Sequence, residues 1–179
     1  MQSVHTRFFH RAMLSLLIPG VLLTAGCADQ TETVVEAAEA PAAVPEIIRT
    51  GESTNLNTSI FIPSGAETLY LSGAGASPNA DGTWGDMQAQ TIDIFNGFKT
   101  KLEAVGWSMS DIVQVRVFAV AGPDGVLDFA GFNSGYQQFF GVDSNPTKPV
   151  RTFVQIAGLV REGWLVEVEV RAARMPAAM

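Results

Sequence analysis

The chain of 179 residues has very little cysteine and histidine, two residues on which many active sites and metal sites depend. Cys27 is its single cysteine, which excludes an intrachain disulfide framework and a cysteine-rich metal site. The two histidines, His5 and His10, both lie in the N-terminal leader. A mature chain without that leader has no histidine, so we expect neither a Ser-His-Asp triad nor a histidine-ligated zinc ion.

Basic residues are also scarce. Eleven lysines and arginines stand against eighteen aspartates and glutamates, which gives a net charge of -7 and a pI of about 4.7. A nucleic-acid surface needs clustered Lys and Arg, so the acidic balance argues against such a partner. The hydrophobic fraction of 47% is that of a folded chain, and the length suits one domain with a tail.

The apolar run at residues 12–23 is too short to cross a membrane, because a helix that spans a bilayer needs roughly 20 residues. Arg7 and Arg11 precede this run and small residues follow it, a pattern typical of a secretory signal. The sequence then reads Leu-Thr-Ala-Gly-Cys, which resembles a bacterial lipobox whose cysteine is lipidated and becomes the N-terminus. We predict a lipoprotein signal peptide at 1–27; an ordinary signal peptide with an unmodified Cys27 is the alternative. Either way the protein is expected to be exported, as a membrane-anchored lipoprotein or a periplasmic protein.

Residues 28–48 form an acidic, alanine-rich segment with two prolines and no basic or aromatic residue. Such a segment offers no anchor for a core, so we predict a flexible tether. The folded domain is predicted at residues 49–179. Removing the two leader arginines would change the net charge to about -9, which disfavours nucleic acid further.

The order of elements in this domain predicts an α+β fold. Turn residues and changes of apolar period divide the chain into strand, strand, helix, strand, helix, strand and strand. The predicted strands cover about 59–65, 67–75, 111–120, 150–159 and 163–173, and the predicted helices cover about 86–105 and 127–140. Two helices against one sheet make a two-layer sandwich.

Apolar spacing indicates which faces are buried. In the first helix, apolar residues recur every three or four positions at Ile92, Phe95, Phe98, Leu102 and Val105. The second helix repeats the pattern at Phe129, Phe132, Tyr136 and Phe139. The strand at 111–120 alternates instead, and its predicted buried residues are Val113, Val115, Val117 and Ala119.

Arg151 is the most informative polar residue, because it opens an otherwise apolar strand. A buried charge needs a partner, and two interpretations follow. Arg151 either forms a structural ion pair with Glu167 or Glu169, or binds a ligand carboxylate through two parallel hydrogen bonds. The two glutamates are two residues apart and therefore share one face of their strand, which is either a solvated or interface face or part of a functional site.

Several segments resemble one family in combination. They are LYLSG, GDMQAQTIDIFNGFKTKLEAVGWSMSDIVQVRVF, DFAGFNSGYQQFFG, PVRTFVQIAGL and LVEVEV, and they occur in this order. The chain is similar to the reactive intermediate deaminase family, also called RidA/YjgF, from about Ser59 to Ala172. The Asn-x-x-Tyr-x-x-Phe-Phe helix, the Pro-x-Arg-Thr strand and the Glu-x-Glu strand carry the resemblance.

The resemblance implies a chorismate-mutase-like fold and a homotrimer with three sites in its subunit clefts. Active members hydrolyse enamines and imines such as 2-aminoacrylate to 2-keto acids and ammonia, with no metal or organic cofactor. Arg151 matches the arginine that holds the substrate carboxylate, and Glu167 matches the glutamate that helps to place water. Ser72 and Gly73 match the pocket Ser-Gly, and Asn133 matches the helix asparagine, as substrate-binding residues.

Three positions depart from the family pattern. Ser59 stands about where the family has a tyrosine, Phe153 replaces a pocket cysteine, and Ala74 replaces a common glutamine. Carboxylate binding is expected to survive these changes, whereas substrate range and rate are expected to differ. The alternative function is a non-catalytic trimer at the cell envelope that binds small carboxylates or acts as a scaffold. Ribonuclease activity, also proposed for this family, is disfavoured by the negative charge.

We expect Cys27 to carry lipid in the native protein and to form the mature N-terminus. Intact-mass and peptide mass spectrometry of protein extracted from its own membranes checks this directly. An unmodified Cys27, or a chain that begins elsewhere, would contradict the lipoprotein assignment.

Overall fold

The computed structural model describes residues 45–177. The predicted signal peptide, Cys27 and most of the tether lie outside them. Within the described range the chain forms, in order, β1 (Ile48–Glu52), β2 (Asn57–Phe61), β3 (Glu67–Gly75), α1 (Met87–Glu103), a single 3-10 turn (Met109–Asp111), β4 (Ile112–Ala119), α2 (Phe129–Tyr136), β5 (Val150–Gln155) and β6 (Val166–Arg174). None of these helices is long and apolar enough to cross a membrane.

A four-stranded mixed sheet in the order β3-β6-β4-β5 carries the domain. Strand β6 is antiparallel to both β3 and β4, whereas β4 and β5 are parallel. Parallel neighbours need a crossover, which here contains α2. The predicted α+β class, with a mixed sheet and two helices on it, is confirmed.

The two faces of the sheet have different environments. The side chains predicted to be buried on β4 are buried, with 2% or less of their surface exposed at Val113, Val115, Val117 and Ala119. The apolar residues of β6 that face the same way are buried as well, at Val166, Val168 and Val170. Residues between them, such as Arg116 and Glu169, lie on the opposite face and are about half exposed. Helices therefore cover one face, and the other is open in the single chain.

Helix α1 begins as predicted and ends earlier. The Asp86 carboxylate accepts a hydrogen bond from the Ala89 backbone N–H at 2.8 Å, which caps the first turn. The helix ends at Glu103, and Gly106 follows in the left-handed region at φ 75°. Val105, predicted to lie on the buried face, is therefore beyond the helix and 59% exposed.

Helix α2 is shorter than predicted, with Asp128 capping it through the Gly131 N–H at 2.7 Å. After Tyr136 the backbone tightens into i to i+3 bonds, so Phe139 N–H donates to the Tyr136 carbonyl. Phe139 nevertheless packs 5.4 Å from the Phe95 ring centre. The apolar period continues past the helix because the turns after it still face the core.

The hairpin of β1 and β2 was predicted only in part, because the strand expected at 59–65 overlaps β2 whereas β1 was not expected. Its strands are mostly exposed and β1 carries charged and small residues, so no apolar alternation marks it. Ile48, assigned to the tether, is the first residue of β1. The hairpin is attached through Asn57, whose side-chain amide donates to the Lys148 carbonyl at 2.6 Å and whose N–H donates to the Pro149 carbonyl.

Substitutions at Gly135 and Gly97 form a matched pair that tests how closely the two helices pack. A Cβ on Gly135 would lie 2.8 Å from the Thr91 Cβ and 2.9 Å from the Gln88 carbonyl, where α2 crosses α1. We expect Gly135→Ala to destabilise the protein by about 1–3 kcal/mol, as over-packing does. A Cβ on Gly97, inside α1, would meet nothing within 4 Å, so Gly97→Ala should stabilise by about 0.5–1 kcal/mol.

Urea denaturation of both variants measures these changes in unfolding free energy. Shifts of the same sign would contradict the close approach of the two helices at Gly135.

Candidate functional site

Arg151 lies on the helix face of the edge strand β5. It pairs in register with Val115 of β4, and the two side chains share a face because the strands are parallel neighbours. Strand β5 has no sheet neighbour on its other side within the four-stranded sheet. The arginine therefore lies beneath α2 at the margin of the domain.

Helix α2 presents a row of aromatic rings to this guanidinium. The Arg151 Cζ atom lies 4.6 Å from the ring centre of Tyr136, 5.4 Å from Phe132 and 5.9 Å from Phe129. These three residues are three and four positions apart, so they lie along one helix face. Their electron-rich faces stabilise the cation by an estimated 0.5–2 kcal/mol per contact, depending on desolvation.

No acidic side chain in the described range pairs with Arg151. Glu169 instead lies 3.5 Å from Arg116 on the open face of the sheet. The ion pair of Arg151 with Glu167 or Glu169, considered from the sequence, is therefore absent from residues 45–177. Arg151 Nη1 is buried without a hydrogen-bond partner there, and burial lowers the arginine pKa. A half-buried guanidinium with a free donor is suited to an anion.

Asn133 and Tyr136 bring further unpartnered polar atoms to α2. Asn133 Oδ1 and Tyr136 Oη are both buried with no partner in the described part of the chain. Burial raises the pKa of the Tyr136 hydroxyl, an effect that the Arg151 charge opposes, so the group stays protonated. Sequence reasoning placed Tyr136 only in the core. The missed signal was its hydroxyl, because a buried Tyr normally finds a partner.

Phe153 borders the arginine on the same strand face. Its ring centre lies 4.8 Å from Phe129 and 5.0 Å from Phe132, with edge-on geometry in both pairs. Phe153 is therefore part of the aromatic layer around Arg151. Phe129 remains 45% exposed, so one apolar ring beside the guanidinium is accessible from outside.

Glu167 lies on the opposite face of the sheet. It pairs in register with Phe118 of β4, whereas Arg151 shares the face of Val115 and Val117. Together with Glu169 it lines a groove of about 280 Å³ that reaches Leu159 and Val160. The structure therefore does not bring Arg151 and Glu167 together within one chain.

Ser72 and Gly73 lie beside Glu167 rather than beside Arg151. They occupy a bulge between Leu71 and Ala74, where the register of β3 against β6 shifts. A Cβ on Gly73 would overlap Glu167 Oε1, so only glycine lets the carboxylate lie against β3 here. The predicted site residues thus form two groups, Arg151 with α2 and Glu167 with the bulge.

Gln90 fixes the position of the second group, and its role was missed. Its buried amide donates to the carbonyls of Gly85 and Gly163 and accepts from the Leu165 N–H, each at 2.9 Å. Trp164 Nε1 in turn donates to the Ala76 carbonyl at 2.9 Å. These bonds tie the end of β3 to the start of β6, which carries Glu167. Residues 45–177 contain no group of three or more His, Cys, Asp or Glu side chains that suits a metal ion.

These features define a small α+β sandwich with an arginine site at the sheet edge. A family model described as endoribonuclease L-PSP matches residues 62–174. The chain therefore belongs to this family, which is the RidA/YjgF family indicated by its sequence motifs.

This chain is similar to known proteins in both sequence and structure. A RutC family protein of Leuconostoc mesenteroides is 35% identical over 109 residues, 60% of this chain and 80% of the relative. One of Pyrococcus horikoshii is 33% identical over 85 residues, covering 48% of this chain and only 60% of that relative's length. Among solved structures, a candidate endoribonuclease of Thermotoga maritima has 28% identity and a TM-score of 0.51, covering 72% of this chain and 99% of that one. Escherichia coli TdcF, solved with bound serine, has 27% identity and a TM-score of 0.50, with coverage of 69% and 96%.

Proposed function

We propose that this protein is a hydrolytic deaminase that converts reactive enamines and imines of the 2-aminoacrylate type to 2-keto acids and ammonia. The observation that carries the proposal is the Arg151 guanidinium, held under aromatic rings with a buried donor and no acidic partner in residues 45–177. A planar guanidinium binds a carboxylate through two parallel hydrogen bonds. Bound serine in the related E. coli TdcF supports a ligand with a carboxylate.

The proposed reaction is the addition of water across a C=N bond. An enamine first tautomerises to its imine, whose carbon is electrophilic. Arg151 holds the carboxylate and thereby positions that carbon, while Glu167 accepts a hydrogen bond from the attacking water. The water oxygen bonds to carbon while one water proton passes to nitrogen; the second proton then moves from this oxygen to nitrogen, the C–N bond breaks, the C=O bond forms and ammonia leaves. Fixed polar groups stabilise the charge that develops, and loss of one typically costs about 10²–10³ in rate.

We propose the homotrimer that the family resemblance implies, and the separation of the two groups of residues supports a site shared between subunits. Arg151 and Glu167 lie on opposite faces of one sheet, so one active site needs each from a different subunit. Cyclic assembly would set the β5 edge of one protomer against the open face of the next. Exposed apolar residues at that end of the open face, Val154 at 39% and Val160 at 91%, support an interface there.

The alternative, a non-catalytic trimer that binds small carboxylates or acts as a scaffold, is supported by Ser59. This residue stands about where the family has a tyrosine, and its hydroxyl lies 2.6 Å from Thr50 Oγ1 within the hairpin. It is thus engaged away from Arg151. In either function we propose an exported protein, anchored to a membrane through lipid on Cys27 or free in the periplasm.

Ribonuclease activity, which the family description suggests, has little physical support here. A net charge of -7 repels RNA, and phosphate binding needs clustered basic residues. An RNA cleavage assay beside the deaminase assay separates the two activities.

We expect Arg151→Ala to abolish deaminase activity in a folded protein. Loss of a charged hydrogen-bond pair costs about 1.5–3 kcal/mol, or roughly 10- to 150-fold in binding, and misplacement of the imine lowers turnover further. Arg151→Lys should recover little, because a point charge does not supply two parallel donors. Keto acid release from freshly generated imino acids, measured against buffer alone, gives the rate.

Arg174→Ala is the matched control, since this arginine also lies over an aromatic ring, that of Trp107, and is at the end of β6 away from Glu167. It should keep parental activity. A folded Arg151→Ala protein with full activity would overturn both the site and the carboxylate substrate, whereas a primary loss of melting temperature would assign Arg151 a structural role.

Co-expression of Arg151→Ala and Glu167→Gln chains tests the shared site. Each variant alone should be inactive, whereas random mixing should restore about a quarter of the parental activity, because some clefts then contain both native residues. Light scattering checks that the mixture is trimeric. Mixed trimers without recovered activity would contradict a site built from two subunits.

A further inference from the structure

We propose that the Arg151 site selects monocarboxylic substrates with uncharged, apolar side chains, and that Phe129 is the residue that selects them. This inference rests on the proposed binding of a carboxylate by Arg151. It names the substrate class, which the family membership leaves open.

Phe129 is a fixed apolar surface next to the proposed carboxylate position. Its ring lies 5.9 Å from the Arg151 Cζ atom, and Phe153 packs against it edge-on at 4.8 Å. Phe153 supports one side of the ring, and 45% of the residue surface stays exposed. A substituent on a carboxylate bound at Arg151 therefore has an apolar ring within reach.

A cavity of about 610 Å³ lies along the starts of both helices and shares one lining residue, Phe129, with the aromatic rings around Arg151. Its apolar lining comes from Met87, Val126, Leu127, Phe129, Ala130 and Leu165. This volume holds an alkyl or aryl side chain of several carbon atoms, far more than the methylene of 2-aminoacrylate requires. Burial of each additional methylene group there should tighten binding about three- to fourfold.

Three aspartates line the same cavity and exclude a second negative charge. Asp86, Asp124 and Asp128 each accept a backbone N–H bond, from Ala89, Val126 and Gly131, which holds these carboxylates in place. A side chain ending in a carboxylate would meet like charges. Dicarboxylates should therefore bind less tightly than apolar monocarboxylates of equal length.

The test measures binding of stable 2-oxo acids, the products of the proposed reaction, to the purified protein by calorimetry. The probes are pyruvate, 2-oxobutanoate, 2-oxopentanoate and 2-oxohexanoate, with 2-oxopentanedioate as the dicarboxylate. We expect affinity to rise by at least about tenfold from pyruvate to 2-oxohexanoate, and 2-oxopentanedioate to bind less tightly than 2-oxopentanoate. Equal affinities across the series in the parent protein would overturn the proposal without any variant.

Phe129→Ala should flatten this dependence on side-chain length, so that the ratio of the 2-oxohexanoate affinity to the pyruvate affinity falls towards one. The matched control is Phe61→Ala, because Phe61 lies on β2 and is 61% exposed; it should keep the parental series. If affinity rises equally steeply with side-chain length in folded Phe129→Ala, Phe129 is not the residue that selects the ligand.

Arg151→Ala separates this inference from the proposed function. It should weaken every ligand in the series, and unchanged binding in that variant would contradict the carboxylate anchor on which both depend. If the protein hydrolyses imines but binds all the 2-oxo acids with equal affinity, the proposed deaminase function stands and only the proposed selectivity is overturned. If affinity rises with side-chain length through Phe129 but no imine is hydrolysed, the result supports the proposed selectivity and favours the non-catalytic binding protein.

Discussion

The burial of one positive charge against aromatic rings is the constraint around which the candidate site is organised. Removing a guanidinium from water is costly, and ring faces alone compensate only part of that cost. Arg151 has the rings of α2 above it, yet Nη1 has no partner in the described chain. The arrangement therefore suits an anion, and a carboxylate would satisfy both its charge and its geometry.

The placement of α2 follows from the sheet. Because β4 and β5 are parallel, the chain must cross over between them, and the crossover helix packs on the buried face. Strand β5 is then an edge strand, which keeps its arginine close to solvent. The same two-residue alternation that buries Val115 and Val117 directs Arg151 and Phe153 towards α2 and directs Glu167 away from it.

The alternation of side chains along the strands links the proposed reaction to the association of subunits. A reaction that needs both Arg151 and Glu167 cannot be completed by one protomer in this fold, whereas binding of a carboxylate needs only the helix face. The deaminase and the binding protein therefore differ in what they require from the subunit interface. Phe129 and Phe153 concern the ligand in both cases, since they border the guanidinium itself.

Local sequence patterns were sufficient to predict the elements whose burial is periodic, and insufficient to predict the others. The alternation in β4 and the start of α1 at Asp86 are short-range features that the sequence determines by itself. The end of α2 was misjudged because Phe140 stays buried and Phe139 half-buried after the backbone leaves helical geometry, and apolar spacing does not distinguish a helix from the turns that follow it. Strand β1 was missed because a polar, exposed strand has no buried face to mark it.

For the site, the sequence determined which residue types are available: an arginine on an apolar strand, a glutamate pair and an acidic chain without histidine after His10. Only the tertiary structure decided which of them meet. Strand order and register are long-range properties, and they separate Arg151 from Glu167 while bringing Phe129, Tyr136 and Phe153 to the arginine. The physical reason is that the sequence of one strand fixes only which of its side chains share a face. The residues that those side chains meet across the sheet or in the helix layer depend on how the whole chain packs.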